Sequence, residues 1–274
     1  MLRKILFCAA MLSLAAPWQT SSAAAAVPSG PYLLGAAPRE STALGRKIYD
    51  PLAAYLSKVL GRRVVYRPAG SWGVYQGLMQ QSHYDLVIDG PQFTGWRIKK
   101  RGYTALVRIS GPLRFALIVR RHSPMRTLDD LAGASACDPP PPGLVTLMLQ
   151  SLFSPVTPPH IVPTHGPAQA FRYLLARRCA MSVVPMTLLK KLDPDGVRTR
   201  VIVEPAALPN FALSSGPRLS AAQREAVRAA MLSPAALGPL AQFRRHYMPH
   251  GHFVASGNAR YLPEASLLDG LWGY

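Results

Sequence analysis

Short apolar runs alternate along this chain with longer stretches whose apolar positions return every three or four residues, and that alternation predicts strands separated by helices. Tyr32 to Ala36 reads as a strand, Pro38-Arg39-Glu40-Ser41 as a polar connection, and Thr42 to Leu60 as a helix with Leu44, Ile48, Leu52, Leu56 and Val59 on one face. Pro51 predicts a kink or a new first turn inside that helix, and Gly61 its end. A strand from Arg63 to Tyr66, a Ser71-capped helix from Trp72 to Gln80 and a strand from Tyr84 to Ile88 follow. Gly90-Pro91 turns the chain into another helix, with Pro91 in a first turn where a missing N–H is harmless, and Ala105 to Ile109 adds a fourth strand.

After Ser110-Gly111-Pro112 the pattern restarts with strands at Arg114 to Val119, Ala134 to Cys137, His160 to Val162, Ala180 to Val184 and Val197 to Val203. Helices are predicted at Thr127 to Leu131, Gly143 to Phe153, Gly166 to Ala176 and Met186 to Leu192. A return segment, Leu208 to Leu213, leads to a Ser220-capped helix over Ala221 to Met231 and to helical stretches over Ala235 to Tyr247 and Asn258 to Leu271. Strands separated by helices with short connections call for mostly parallel sheets, hence an α/β fold. Two such blocks joined twice describe a two-lobed clamshell with a double-crossover hinge. Its first lobe takes residues 27–110 and 209–274, its second 111–208, and a cleft lies between them.

Composition adds a destination and a charge. Arg3 and Lys4, the apolar run Ile5 to Ala16 and the small residues Ala24-Ala25-Ala26 give residues 1–26 the form of a cleavable export signal, with Val27 as the first mature residue. That apolar run is too short to span a bilayer, for which about 20 residues are needed. The expected location is the periplasm. The chain carries 31 Lys and Arg against 13 Asp and Glu, a formal charge of +18, which favours anionic partners. Nucleic acid is disfavoured, because the basic residues are scattered and no nucleic-acid motif accompanies them. The run Arg97, Lys99, Lys100, Arg101 reads as a solvated helix end. Beyond the signal two cysteines remain, Cys137 and Cys179; an exported chain permits a disulfide. The strand rise, however, places them about 10 Å apart if their strands are parallel neighbours, which favours a buried or reactive thiol at Cys137.

Candidate chemistry gathers on the loops that follow strands and precede helices. Ser41 and Ser71 offer capping hydroxyls and helix N–H groups to an oxyanion. Asp89 can accept from a ligand amine, from Arg39 or from Gln92; Trp72, Tyr75 and Phe93 can wall a pocket; His165 can donate to an oxyanion. The chain has no GxSxG elbow, P-loop, HExxH or dinucleotide fingerprint, so the expectation is a binding protein, with no enzyme activity, no cofactor and no metal.

Four stretches carry a family resemblance: Tyr49-Asp50-Pro51-Leu52-Ala53-Ala54-Tyr55-Leu56 with Leu60-Gly61; Tyr84 through Pro91; Ser123-Pro124 leading to Leu128-Asp129-Asp130-Leu131-Ala132-Gly133; and Asp193 onward through Leu208-Pro209. Together they make the chain resemble the phosphonate/phosphite-type periplasmic substrate-binding proteins of ABC transporters. The resemblance implies a monomeric clamshell that captures a small, phosphate- or phosphonate-like anion and presents it to a membrane permease. The alternative it implies is a sensory or carrier protein for another oxyanion or a soft ligand such as arsenite, working with a membrane sensor and engaging Cys137. The family's Ser-Thr-Ser-Gly anion loop is replaced here by Pro139-Pro140-Pro141-Pro142-Gly143, which offers neither hydroxyl nor proline N–H. The family histidine is matched by His165, Trp72 lies near a family aromatic, and Asp89 stands where another aromatic is common.

Overall fold

The computed structural model describes residues 30–271, 273 and 274, so the export signal expected at 1–26 and Trp272 lie outside the described residues. The first lobe opens with β1 (Tyr32–Ala36), α1 (Thr42–Leu60), β2 (Val64–Tyr66), α2 (Trp72–Gln80), β3 (Leu86–Asp89), α3 (Pro91–Arg101) and β4 (Thr104–Ile109). β5 (Pro112–Leu113) crosses to the second lobe. There the chain forms β6 (Phe115–Arg120), β7 (Ser135–Asp138), α4 (Leu144–Ser151), β8 (His160–Pro163), α5 (Pro167–Leu175), β9 (Met181–Pro185), α6 (Met186–Leu192) and β10 (Thr199–Val203). β11 (Leu208–Pro209) crosses back into β12 (Ala212–Ser215), α7 (Ala221–Leu232), α8 (Ala241–Tyr247) and β13 (Phe253–Ala255). The crossovers β5 and β11 pair antiparallel, Leu208 opposite Leu113, and form the double connection expected of a clamshell hinge.

Local chemistry explains most element ends. Ser41 accepts from the Leu44 N–H at the start of α1, and Gly61, at φ 59°, closes it by donating to the Ser57 carbonyl. Pro51 lies inside α1 without ending it, since Ile48, Tyr49, Leu52, Ala53 and Leu56 bury the same face on both sides. Ser220 and Gln223 form a reciprocal capping box on α7.

Both sheets are more mixed than short connections alone predict. The first runs β13-β4-β12-β3-β1-β2, and the second β10-β6-β9-β7-β8. β2, β1 and β3 are parallel, as are β7, β8 and β9. β12 enters from the hinge and so runs antiparallel to β3 and β4; β6 leaves the hinge and runs antiparallel to β9 and β10. The C-terminal stretch also departs from expectation. The helix expected from Ala235 begins only at Ala241, after a 3-10 turn at Pro234–Ala236, and β13 is an added edge strand. The expected helix over Asn258 to Leu271 is two 3-10 turns, Asn258–Arg260 and Leu262–Leu268. That stretch lies flat on α3 because Gly95 lets it: a Cβ there would run into the Tyr261 carbonyl and come within 2.7 Å of the Ala265 nitrogen.

Each sheet has a core on both faces. One face of the first packs against α1, α7 and α8 through Ile48, Leu52, Val227 and Phe243. The other carries an aromatic layer of Tyr75, Tyr84, Phe93, Trp96, Tyr103 and Tyr261, which Leu147 of α4 joins from the second lobe.

Candidate functional site

The C-terminal ends of β1, β3, β7 and β8 should carry a cleft's contacts, and the first lobe places a charge there and then buries it. Asp89, which ends β3, is fully buried; its Oδ2 accepts from Arg97 Nε at 2.9 Å and its Oδ1 from the Tyr75 hydroxyl. Arg97 is fully buried as well, and its Nη2 donates to the Tyr75 oxygen at 3.1 Å. Its expected role as part of a solvated helix end is therefore corrected: Lys99, Lys100 and Arg101 are exposed, whereas Arg97, four residues after Phe93 on the inward face of α3, is the counter-ion of Asp89. Burial opposes the Arg97 charge, but the Tyr75 oxygen and Asp89 outweigh it and raise its pKa. Burial first, then the Asp89 charge, raises Tyr75 well above the usual phenol value, so it remains a donor.

With both carboxylate oxygens committed, Asp89 is a support for the site. The residues beside it hold open hydrogen-bonding capacity. Arg39, on the loop after β1, stacks over the Phe211 ring at 4.4 Å, and its Nη1 is buried without a hydrogen-bond partner. Gln92, in the first turn of α3, donates at 3.4 Å from Nε2 to the Pro142 carbonyl of the second lobe, while its Oε1 is buried and unpartnered. Gln92 Oε1 lies against Gly90, where an added Cβ would meet it at 2.6 Å and would meet the Phe211 ring, on which Arg39 stacks, at 3.4 Å. Burial works against the Arg39 charge, and Tyr247, Tyr49, Asp89 and Glu40 together raise its pKa nonetheless. The neighbouring carboxylates are taken elsewhere, Asp89 by Arg97 and Glu40 by the Tyr247 hydroxyl and by His246 at 3.6 Å.

Other expected contacts have structural duties. Ser41 and Ser71 cap α1 and α2, accepting from Leu44 N and Val74 N at 3.3 Å each. Phe93 is fully buried, and Trp72 stacks on it with ring centres 6.0 Å apart. Tyr274 also packs on Phe93, at 6.0 Å. His165 is exposed on the loop after β8, its backbone N–H donating to Gln169 Oε1 at 2.7 Å.

The second lobe contributes differently. Asp138 ends β7 fully buried, accepting from Ser182 Oγ and Val183 N at 3.3 Å with no cation beside it among the described residues, and burial raises its pKa well above the usual carboxylate value despite those bonds. Pro139–Pro142 follow; the Thr146 hydroxyl donates to the Pro139 carbonyl and Gly143 N to the Pro140 carbonyl. This loop presents carbonyl oxygens where the resemblance implied hydroxyl and N–H donors.

Cys137 and Cys179 form a disulfide, with Cα atoms 5.6 Å apart, which corrects the expectation of a thiol and removes the group a soft ligand would use. Strand rise misled because Cys179 is not in line with β9. It lies in the turn after α5, over the face that Ala170, Phe171 and Leu174 of α5 cover together with Cys137.

Phe211, Tyr247 and the pairing of Arg97 went unread in the sequence, although Arg97 is two helical turns from Asp89. A cavity of about 800 Å³ also adjoins the crossovers, walled by Arg108, Gly111, Pro112, Leu208, Pro209 and Glu264. It touches none of the strand-to-helix loops, and the site is assigned from the open donor of Arg39 and acceptor of Gln92.

Residues 34–239 match the family described as ABC transporter, phosphonate, periplasmic substrate-binding protein. No curated protein matches the chain in sequence. Among solved structures, a Xanthomonas citri protein bound to ATP superposes with a TM-score of 0.67 at 14% identity, over 87% of this chain and 96% of that one. PhnD1 from Prochlorococcus marinus in complex with methylphosphonate gives 0.64 at 11%, over 89% and 98%. A binding protein component of an ABC phosphonate transporter from Pseudomonas aeruginosa gives 0.60 at 16%, over 86% and 85%. At these identities the likeness is one of fold.

Proposed function

This chain belongs to the family of phosphonate ABC-transporter periplasmic substrate-binding proteins, and from that premise we propose that it captures a small anionic solute in the interlobe cleft and presents it to a membrane permease. The signal-like segment at 1–26 supports export to the periplasm, and the reading assigns the site no covalent chemistry. The observation that carries it is Arg39: a guanidinium stacked on Phe211 whose terminal Nη1 is buried and left without a partner. A buried donor is seldom left unmatched, and a phosphonate or phosphate oxygen would match this one.

Because Pro139–Pro142 replace the usual donors, the anion is held chiefly from the first lobe. Gln92 Oε1 and the Pro142 carbonyl are acceptors, which favours a ligand bearing a donor beside its anionic group. Calorimetry on the mature protein with 2-aminoethylphosphonate, methylphosphonate and inorganic phosphate tests this. Saturable binding of at least one is expected, with the amine-bearing compound tightest. Arg39→Met should weaken binding roughly 10- to 150-fold, the range for one hydrogen bond to a charged group. Unchanged affinity in Arg39→Met, or no binding of any of the three, sinks the reading.

A further inference from the structure

The second lobe has an opposite edge, and its chemistry differs from that of the cleft. β6 runs antiparallel to β9 with Val119 opposite Met181, and Met181 pairs with Ala136 of the parallel β7. Arg120 therefore lies at the edge where β7 and β9 begin, whereas Asp138 marks the edge that faces the cleft. At this far edge a groove of about 610 Å³ is lined by Arg120, Arg121, His122, Arg177 and Arg198, with Val197 among its walls and no carboxylate in its lining.

Three further observations separate it from an ordinary solvated basic face. Further arginines crowd against its rim: Arg200, outside the lining, whose Nη atoms donate to the carbonyls of Arg121, Ser123 and Met125, has its pKa lowered by desolvation and then by the charges of Arg126 and of Arg121, which does line the groove. Arg177 holds a φ of 60°, a left-handed conformation rare for such a side chain, and ends a turn that the Cys137–Cys179 bridge ties to β7. Asp193, a carboxylate close by along the chain but outside the lining, is buried and accepts from Thr199 and the Arg198 N–H; its charge offsets that of Arg198 and leaves Arg120, Arg121 and Arg177 with no carboxylate in the lining. Asp195 is exposed on the same turn but is not among the lining residues.

We propose that this far edge of the second lobe is a docking surface for an anionic lipid bilayer, with phosphate headgroups entering the arginine groove and Val197 entering the interface. The bilayer, in preference to a free phosphate, follows from two features. Val197 is 66% exposed, an apolar residue in the middle of the cationic rim. Exposed Arg126 and Arg178 extend the positive surface beyond what one small anion would cover. Such docking would hold the carrier near its membrane partner while leaving the cleft, on the other edge of the lobe, unobstructed.

Sedimentation of the mature protein with vesicles tests this without any cleft solute, so its outcome is independent of the solute reading. Vesicles of equal phosphatidylglycerol and phosphatidylcholine should bind the protein, pure phosphatidylcholine should not, and the affinity should fall as salt rises. At roughly fivefold per basic residue near the surface, Arg121→Glu with Arg177→Glu should weaken binding at least tenfold. A control pair on α1, Lys47→Glu with Lys58→Glu, should change it less than threefold. If the glutamate pair melts early, Arg121→Gln with Arg177→Gln should still show a graded loss. Equal losses in groove and control pairs would mean that net charge alone acts, and would overturn the proposal. So would absence of vesicle binding, including the case where inorganic pyrophosphate binds the groove instead.

Discussion

Two aspartates end strands on the two sides of the cleft, Asp89 on β3 and Asp138 on β7, and both are fully buried. Their surroundings are opposite. Asp89 is paired with the Arg97 guanidinium and the Tyr75 hydroxyl inside an aromatic layer, with the Arg97 carbon 5.3 Å from the centre of the Tyr103 ring. Asp138 has only a serine hydroxyl and one backbone N–H, and burial pushes its pKa up. The first lobe thus fixes its cleft edge with a buried ion pair, and the second carries at its cleft edge a carboxyl that resists ionisation. The same residue type at the end of a strand is in one lobe half of an ion pair and in the other a carboxyl that burial pushes towards its neutral form, because of the two only Asp89 has a cation beside it among the described residues.

The largest expected effect comes from removing that cation. Arg97→Met should destabilise the protein by about 3–5 kcal/mol, since it leaves a buried carboxylate uncompensated, and Asp89→Asn combined with Arg97→Met should recover part of the loss. Urea unfolding of both variants measures this; a cost below about 1 kcal/mol for Arg97→Met would erase the contrast between the lobes. Next in size is the covalent brace: replacing both Cys137 and Cys179 by serine should cost about 2–4 kcal/mol. Amide exchange should locate the loss in β7, β9 and α5, leaving the first lobe protected; a uniform loss would show that the lobes unfold as one.

The smallest effect is a pH dependence. Burial raises the Asp138 pKa above its ordinary value of 3.8, so the folded state favours the protonated carboxyl more than the unfolded chain does. Stability from this group is fully present below the unfolded value and is lost as pH rises through the folded one. Asp138→Asn should therefore melt higher than the parent at pH 7.5 and match it near pH 3.5. A parallel offset at both pH values would show that Asp138 does not titrate in this way.

How much of this was legible in the sequence depended on distance along the chain. The caps Ser41, Ser71 and Ser220 each serve an N–H three residues on, and all were readable. The Gly90-Pro91 entry to α3 and the hinge crossing near Gly111-Pro112 were readable for the same reason. The site was legible as a set of loops. Arg39 and Gln92 were identified by position, but their open hydrogen-bonding groups became visible only with Phe211 and Pro142 in place, and these come from remote parts of the chain. Asp89 was read as a ligand contact because nothing in the sequence near it announces that Arg97 turns inward.

By itself, then, the sequence determined most of the strands and helices ahead of the C-terminal stretch, and that the usual anion loop is prolines. These follow from interactions within a turn or two of chain, which periodicity and capping residues encode directly. Only the tertiary structure decided that β12 and β6 reverse the sheets, that Arg97 neutralises Asp89, that Cys137 meets Cys179, and that Arg121, Arg177 and Arg198 share one groove. Each of these depends on which faces and edges the sheets bring together, and burial, which sets the strength of every charge concerned, exists only once they have packed.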